Sequence, residues 1–273
     1  MKKFEGILIC TDLDGTLLRK DKSISKENRE AIEYFKSEGG KFTFITGRMP
    51  FYIQDIYDAA KPNAPLGCIN GGGVYDYPKR SYIWYTELDR GALPLVRYID
   101  ESIPEIGIQI YTPDKIYFAR ENAAMKRFRD LTRLPNLVKH YDDVTEPIAK
   151  IVFGDMSEEK VTKVRDLLLS HPLADNFGFI RSEHTLFEIL PKGIDKGTAL
   201  KKIAESLSID IKKTVAVGDY DNDIGMLKAA GLGVAVENAT DNAKAVADYV
   251  TVSNEEHAIA RIILEIESGI IKI

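Results

Sequence analysis

Apolar residues fall along this chain in two different rhythms. At both ends, short unbroken apolar runs alternate with amphipathic stretches of helical period. The run "GILICTD" (6–12) predicts a buried strand, and "SKENREAIEYFKSEGG" (25–40) predicts a helix. Ser25 is its expected N-cap, Ala31, Ile32 and Phe35 share one face, and Gly39 and Gly40 stop it. "KFTFITG" (41–47) and "PLGCINGGG" (65–73) predict two more strands, and Pro50 suits the first turn of a helix between them. Late in the chain "KTVAVGD", "LGVAV" and "YVTV" read as strands. They are interleaved with helical "IDKGTALKKIAESLS", "NDIGMLKAAG", "TDNAKAVAD" and "EEHAIARIILEIES". Strands that are apolar throughout, alternating with helices, imply a parallel sheet covered on both faces.

The middle of the chain has the other rhythm. "GIQIYTPDKIYFAR" (107–120), "AKIVFGD" (149–155) and "FGFIRSEHTLFEIL" (177–190) alternate apolar with polar, as half-exposed antiparallel strands do. "SEEKVTKVRDLLLSHP" reads as a helix between them. The change of period predicts an α/β chain: a parallel-sheet core from residues 1–84 and 191–273, with an inserted α+β module over 85–190. The aromatics Tyr111, Tyr117 and Phe118 read as packing within that insert.

Composition narrows the function classes. The 273 residues are 44% hydrophobic and 29% charged with a net charge of −5, so a basic nucleic-acid-binding or membrane-surface face is not expected. No apolar stretch has the length of a membrane span, and the opening five-residue apolar run is too short for a signal peptide. Cys10 and Cys68 lie in strand-like segments without metal-ligand spacing, which points to a reducing, cytoplasmic setting. His140, His171, His184 and His257 form no ligand motif. Nothing in the sequence sets an oligomeric state, and a monomer is compatible with it.

In a parallel α/β sheet, ligands bind beyond the carboxyl ends of the strands. Those ends carry "DLDGT" (12–16), "TGR" (46–48), "NGGG" (70–73) and "GDYDND" (218–223), and Lys196 opens a helix after the insert. If the strands are neighbours, Asp12, Asp14, Asp219, Asp221 and Asp223 crowd together, and a cation must offset their repulsion. Magnesium fits: it takes hard oxygen ligands and few carboxylates, and keeps positions for water and phosphate. Few carboxylates means that Asp221 reads as a solvated loop residue. "NGGG" lacks the spacing of a dinucleotide loop and reads instead as a tight strand end, with Asn70 and Gly71 near a substrate. Each motif has a plainer reading: Asp-Gly favours turns, Thr46 suits a helix cap, and a lone lysine is usually solvated.

Together, "DLDGTL", "FITGR", the lysine of "DKGTAL" and "GDYDNDIGML" resemble, in order, the four motifs of haloacid dehalogenase-like phosphatases. "GVAVENATDNAKAVADYVT" is similar to the Cof-type sugar-phosphate phosphatase branch, and the resemblance implies a Rossmann-like core with the 85–190 insert as an α+β cap of C2 type between the second and third motifs. The resemblance implies an aspartyl-phosphate mechanism on small phosphomonoesters, with Asp12 as nucleophile and Asp14 as general acid and base. Magnesium would be held by Asp12, the Asp14 carbonyl, Asp219 and Asp223, the last directly or through water. Leu13 and Gly47 amides, Thr46, Lys196 and Asn222 would hold phosphoryl oxygens. Arg48, Asn70, Gly71, Arg181, His184 and Glu188 are candidates for substrate contact. A phosphomutase of the phosphomannomutase type and a non-catalytic phosphometabolite sensor are the alternatives.

Overall fold

The structure is a computed structural model that describes residues 2–273. Strand β1 (Leu8–Thr11) leads to helix α1 (Lys26–Ser37), whose N-cap is Ser25; the Ser25 hydroxyl accepts from the Asn28 amide at 3.2 Å. Ile32 and Phe35 are buried on its inner face, while Ala31 is only half-buried. Strand β2 (Lys41–Phe44) follows, then a single 3-10 turn opened by Pro50, and α2 (Gln54–Ala60). Strand β3 (Leu66–Cys68) then pairs antiparallel with β4 (Gly73–Asp76), which pairs with β5 (Ser81–Tyr85).

The insert begins with α3 (Leu93–Ser102) and the hairpin β6 (Gly107–Tyr111) and β7 (Ile116–Arg120). It continues through α4 (Ala123–Thr132), β8 (Lys150–Gly154) and α5 (Glu158–Ser170) to a second hairpin, β9 (Phe177–Glu183) and β10 (Leu186–Pro191). The chain then returns through α6 (Lys196–Ser206), β11 (Thr214–Gly218), α7 (Ile224–Ala229), β12 (Leu232–Ala235), α8 (Asp241–Val246), β13 (Tyr249–Val250) and α9 (Ala258–Glu267).

These elements form two compact units: one is the chain up to Tyr85 with Asp195 onward, the other is Thr86–Ile194. In the first, a five-stranded sheet runs in the order β13-β12-β11-β1-β2, with every pairing parallel. Its central strands are buried along their whole length, as unbroken apolar runs require. Helices α1 and α9 are joined by the buried Asn28, whose side-chain oxygen accepts from the Ala260 amide at 2.9 Å.

The insert has its own five-stranded antiparallel sheet, in the order β7-β6-β8-β10-β9. One face carries Ile108, Ile110, Ile151, Phe153 and Ile189 into a core shared with Val96 and Ile99 of α3 and Val164 and Leu168 of α5. The insert ends four residues later than residue 190, because β10 stays in register with β9 through Pro191 and the core resumes only at the capping residue Asp195.

The structure differs from the sequence pattern at three places. The pattern puts the 65–73 strand in the parallel sheet; β3 meets that sheet at the Ile45–Gly67 bridge and turns back into an antiparallel hairpin. The aromatic hairpin β4–β5 and helices α3 and α4 have no counterpart in the reading. The insert strands β6 and β8, expected half-exposed, are buried along their length. Their second face carries Gln109, Tyr111, Lys150 and Val152, and Met125 of α4 lies over the glycines at its far end, Gly107 and Gly154. Among the described residues no helix is long and apolar enough to cross a membrane.

The N-cap of α1 gives a stability test. Replacing Ser25 with Ala removes the acceptor for an amide at the helix start, and should cost about 1 kcal/mol in urea denaturation. A change within roughly 0.3 kcal/mol would show that the cap contributes nothing.

Candidate active site

Parallel pairing sets the site. β1 and β11 end side by side, and the Asp12 amide donates to the Val217 carbonyl at 2.8 Å. Asp12 is therefore fixed beside the loop that follows β11. β2 lies on the other side of β1, so Thr46 and Gly47 leave the sheet at the same edge. α6 brings Lys196 to this edge: Asp195 caps the helix by accepting from the Thr198 amide at 3.0 Å.

Lys196 is 1% exposed, and its ammonium lies 2.5 Å from Asp12 Oδ1 and 2.5 Å from Asp223 Oδ1. Burial alone pulls an ammonium down, but these two carboxylates outweigh it and the Lys196 pKa is raised. Asp223 is fully buried; its second oxygen accepts from the amides of Asp219 at 2.8 Å and Tyr220 at 3.0 Å. Asp219 accepts from the Thr16 hydroxyl at 2.7 Å. Ligand atoms of Asp12, Asp219 and Asp223 all lie within 4.8 Å of one another. One lysine does not balance them. Burial, then neighbouring negative charge, pushes the Asp12 carboxyl up to about 7 and the Asp219 carboxyl up to about 8. Three hard oxygen donors so close suit a divalent cation.

Asp14 is held differently. Arg48 donates to both its oxygens, at 2.9 and 2.8 Å, and Lys22 reaches it at 2.7 Å. Burial raises this carboxyl, but the two cations outweigh it and the pKa is lowered. Leu13, between the two aspartates, is fully buried, and its carbonyl accepts from the Leu18 amide at 2.8 Å, which fixes the turn. The Thr46 hydroxyl accepts from the Arg48 amide at 3.2 Å. Asn222 donates to the Asn70 side-chain oxygen at 3.2 Å, and Gly71 lies against Asp195. Asp221 is outside the carboxylate cluster; it accepts from Thr240 at 3.0 Å and from Asn242.

The candidates in the insert do not converge. Arg181 opposes Phe187 on the helix-packed face, where its guanidinium binds the Thr162 hydroxyl and the Glu158 and His184 carbonyls. His184 is at the hairpin turn, 3.3 Å from Glu158. Glu188 is on the opposite face, in a buried pair with Lys150 at 2.7 Å. Sequence reasoning left Thr16, Lys22, Lys150 and Gln109 without roles. Thr16 stands inside a motif already singled out; Lys150 carries no local signal because Glu188 is 38 residues away, and Lys22 and Gln109, though paired with the nearby Asp14 and Tyr111, match no motif.

A family model for haloacid dehalogenase-like hydrolases matches residues 9–263. The chain belongs to this family. Members similar to it over nearly their whole length are named phosphatases, the enzyme class in which this places the chain. The phosphatase YwpJ of Bacillus subtilis is 30% identical over 93% of this chain and 97% of that protein. The 5-amino-6-(5-phospho-D-ribitylamino)uracil phosphatase YwtE of the same organism is 30% identical over 96% of this chain and 98% of its own. A solved haloacid dehalogenase-like hydrolase of Bacteroides thetaiotaomicron superposes with a TM-score of 0.82 at 27% identity, covering 95% of this chain and 99% of that one. The Cof-type phosphatase resemblance read from the motifs agrees with these relatives.

The raised carboxyls have a consequence for pH. The unfolded chain ionises Asp12 and Asp219 near pH 4, whereas the metal-free folded protein holds their protons to about 7 and about 8. Their contribution to stability is therefore full below pH 4 and declines as pH rises to 8. Divalent metal should reverse that decline and release protons on binding, seen at pH 7 as a buffer-dependent calorimetric heat. A heat independent of the buffer would contradict the proton-loaded cluster.

Proposed function

We propose that this protein is a magnesium-dependent phosphohydrolase that acts on small phosphomonoesters, sugar phosphates first, through an aspartyl-phosphate. The observation that carries the reading is Asp12: a buried carboxylate at a strand end, held by Lys196 and packed against Asp219 and Asp223. The donor set is all oxygen and fits magnesium, with Asp12, Asp219 and the Asp14 carbonyl as ligands. Asp223, whose oxygens already accept from Lys196 and two backbone amides, is assigned to hold the metal through water. Magnesium, when bound, supplies positive charge against the phosphoryl oxygens and neutralises the aspartates.

Asp12 attacks phosphorus, forming an acyl phosphate as the ester oxygen departs. Asp14 gives its proton to that oxygen and later takes one from the water that cleaves the acyl phosphate. Both its oxygens are held by Arg48 and Lys22, so ester binding must break these contacts before Asp14 can carry a proton. Lys196, Thr46, Asn222 and the Leu13 and Gly47 amides are assigned to the phosphoryl oxygens, where placed donors lower the barrier most.

Sugar and polyol phosphates come first among the esters because the relative YwtE carries a phosphorylated ribityl group in the name of its substrate. Within the insert, Lys150 pairs with Glu188 at 2.7 Å and the Tyr111 hydroxyl donates to Gln109 at 3.0 Å, so these buried polar side chains partner one another.

Purified protein with magnesium should release phosphate from at least one phosphomonoester in a broad panel. Asp12→Asn should lower turnover at least about a thousandfold while the protein stays folded by circular dichroism. Asp14→Asn should lose on the order of a hundredfold or more and accumulate phosphoenzyme, detectable by intact mass. Turnover retained in Asp12→Asn would remove the nucleophile assignment.

A further inference from the structure

The segment Ile69–Gly71 connects β3 to β4 in a conformation that its sequence resists. Ile69 has φ 59° and Asn70 φ 50°, the left-handed region that a β-branched residue almost never occupies. Gly71 follows at φ 101°. Strain of this kind persists only where surrounding contacts fix it, and here those contacts are the catalytic motifs themselves. The Ile69 amide donates to the Arg48 carbonyl at 3.2 Å, and the Asn70 amide to the Thr46 carbonyl at 3.1 Å. The turn thus grips the Thr46–Arg48 loop on both sides of Gly47. The Asn70 carboxamide fills the space against Gly47, where an added Cβ would lie 2.9 Å from Asn70 Oδ1. That same Oδ1 accepts from Asn222 at 3.2 Å. At Gly71 an added Cβ would lie 1.8 Å from the Asp195 carbonyl oxygen and 2.9 Å from the Lys196 backbone nitrogen, so the turn also abuts the start of α6.

We propose that Asn70 is a positioning residue for phosphoryl transfer, at the centre of a strained turn that sets the Thr46–Gly47 loop, Asn222 and the Lys196 helix against one another. This rests on the phosphohydrolase reading above and goes beyond it. The sequence pattern placed Asn70 and Gly71 beside a substrate; the geometry instead assigns Asn70 to the groups that hold the phosphoryl oxygens. Its carboxamide is fully buried and spans two of the motifs.

Asn70→Gly tests this directly, because glycine accepts the left-handed backbone and only the carboxamide is lost. The variant should keep its unfolding midpoint within about 3 °C. It should lose roughly tenfold to a hundredfold in kcat/KM by the same factor on p-nitrophenyl phosphate and on a hexose phosphate. Asn222→Ala should also lose activity, and the double variant should lose less than the product of the two single losses, since the Asn70–Asn222 contact is common to both. A loss confined to one leaving group would make Asn70 a substrate contact. Losses that multiply in the double variant would make the two side chains independent. Either outcome overturns the proposal. Hydrogen exchange separates this inference from the reading on which it rests. Amides of 46–48 and 219–223 should exchange faster in Asn70→Gly, whether or not the wild-type protein turns over any ester. Unchanged exchange there overturns the positioning role, while a wild-type protein inactive on every ester removes only the phosphohydrolase reading.

Discussion

One buried ammonium shared between two carboxylates, with a third carboxylate close by, organises this protein. Lys196 is 2.5 Å from both Asp12 and Asp223, and the Asp219 carboxylate completes the group. Placing so much charge out of water is costly unless each group finds its complement. The surrounding structure supplies it: β1 and β11 in parallel register, a capped helix that presents the lysine, and backbone amides aimed at Asp223. What remains unbalanced is negative. Three oxygen donors with that imbalance could hold a divalent cation.

Much of the core was legible because its signals are local. The apolar runs that form β1, β2, β11 and β12, the serine that caps α1 and the glycines beyond it each act within a few residues. Asp12, Asp219 and Asp223 were legible as a set because a parallel sheet brings strand ends together whatever the distance along the chain, whereas Lys196, an ordinary lysine by itself, was legible only through its motif. The hairpin β4–β5 was not legible, since Tyr75, Tyr82 and Trp84 mix with charge and the turn Pro78–Arg80 has no glycine. Nor were the Asp14 partners, because Arg48 and Lys22 are ordinary cations until a turn and a loop meet. In the insert, Arg181 and Glu188 are close in sequence yet on opposite faces of the sheet, a distinction set by strand pairing.

Two aspartates one residue apart thus have opposite surroundings. Asp12 is beside other carboxylates and is pushed up; Asp14 is beside two cations and is pulled down. Neighbours in sequence acquire different chemistry because the turn through Leu13 sends their side chains to different partners. The same logic governs Asp221 and Asp223, of which only the second belongs to the carboxylate cluster.

The discontinuous core also orders events at the ribosome. β1 pairs with β11, so Leu8 must wait for Thr214. The insert, by contrast, is one uninterrupted segment whose hairpins close between near neighbours, and such contacts form sooner because less chain entropy is lost. As the nascent chain emerges, the insert can fold while the first third of the protein still lacks its central neighbour strand. That interval lasts until β11 emerges, so β1 stays without its central neighbour through most of translation and is open to aggregation for that time.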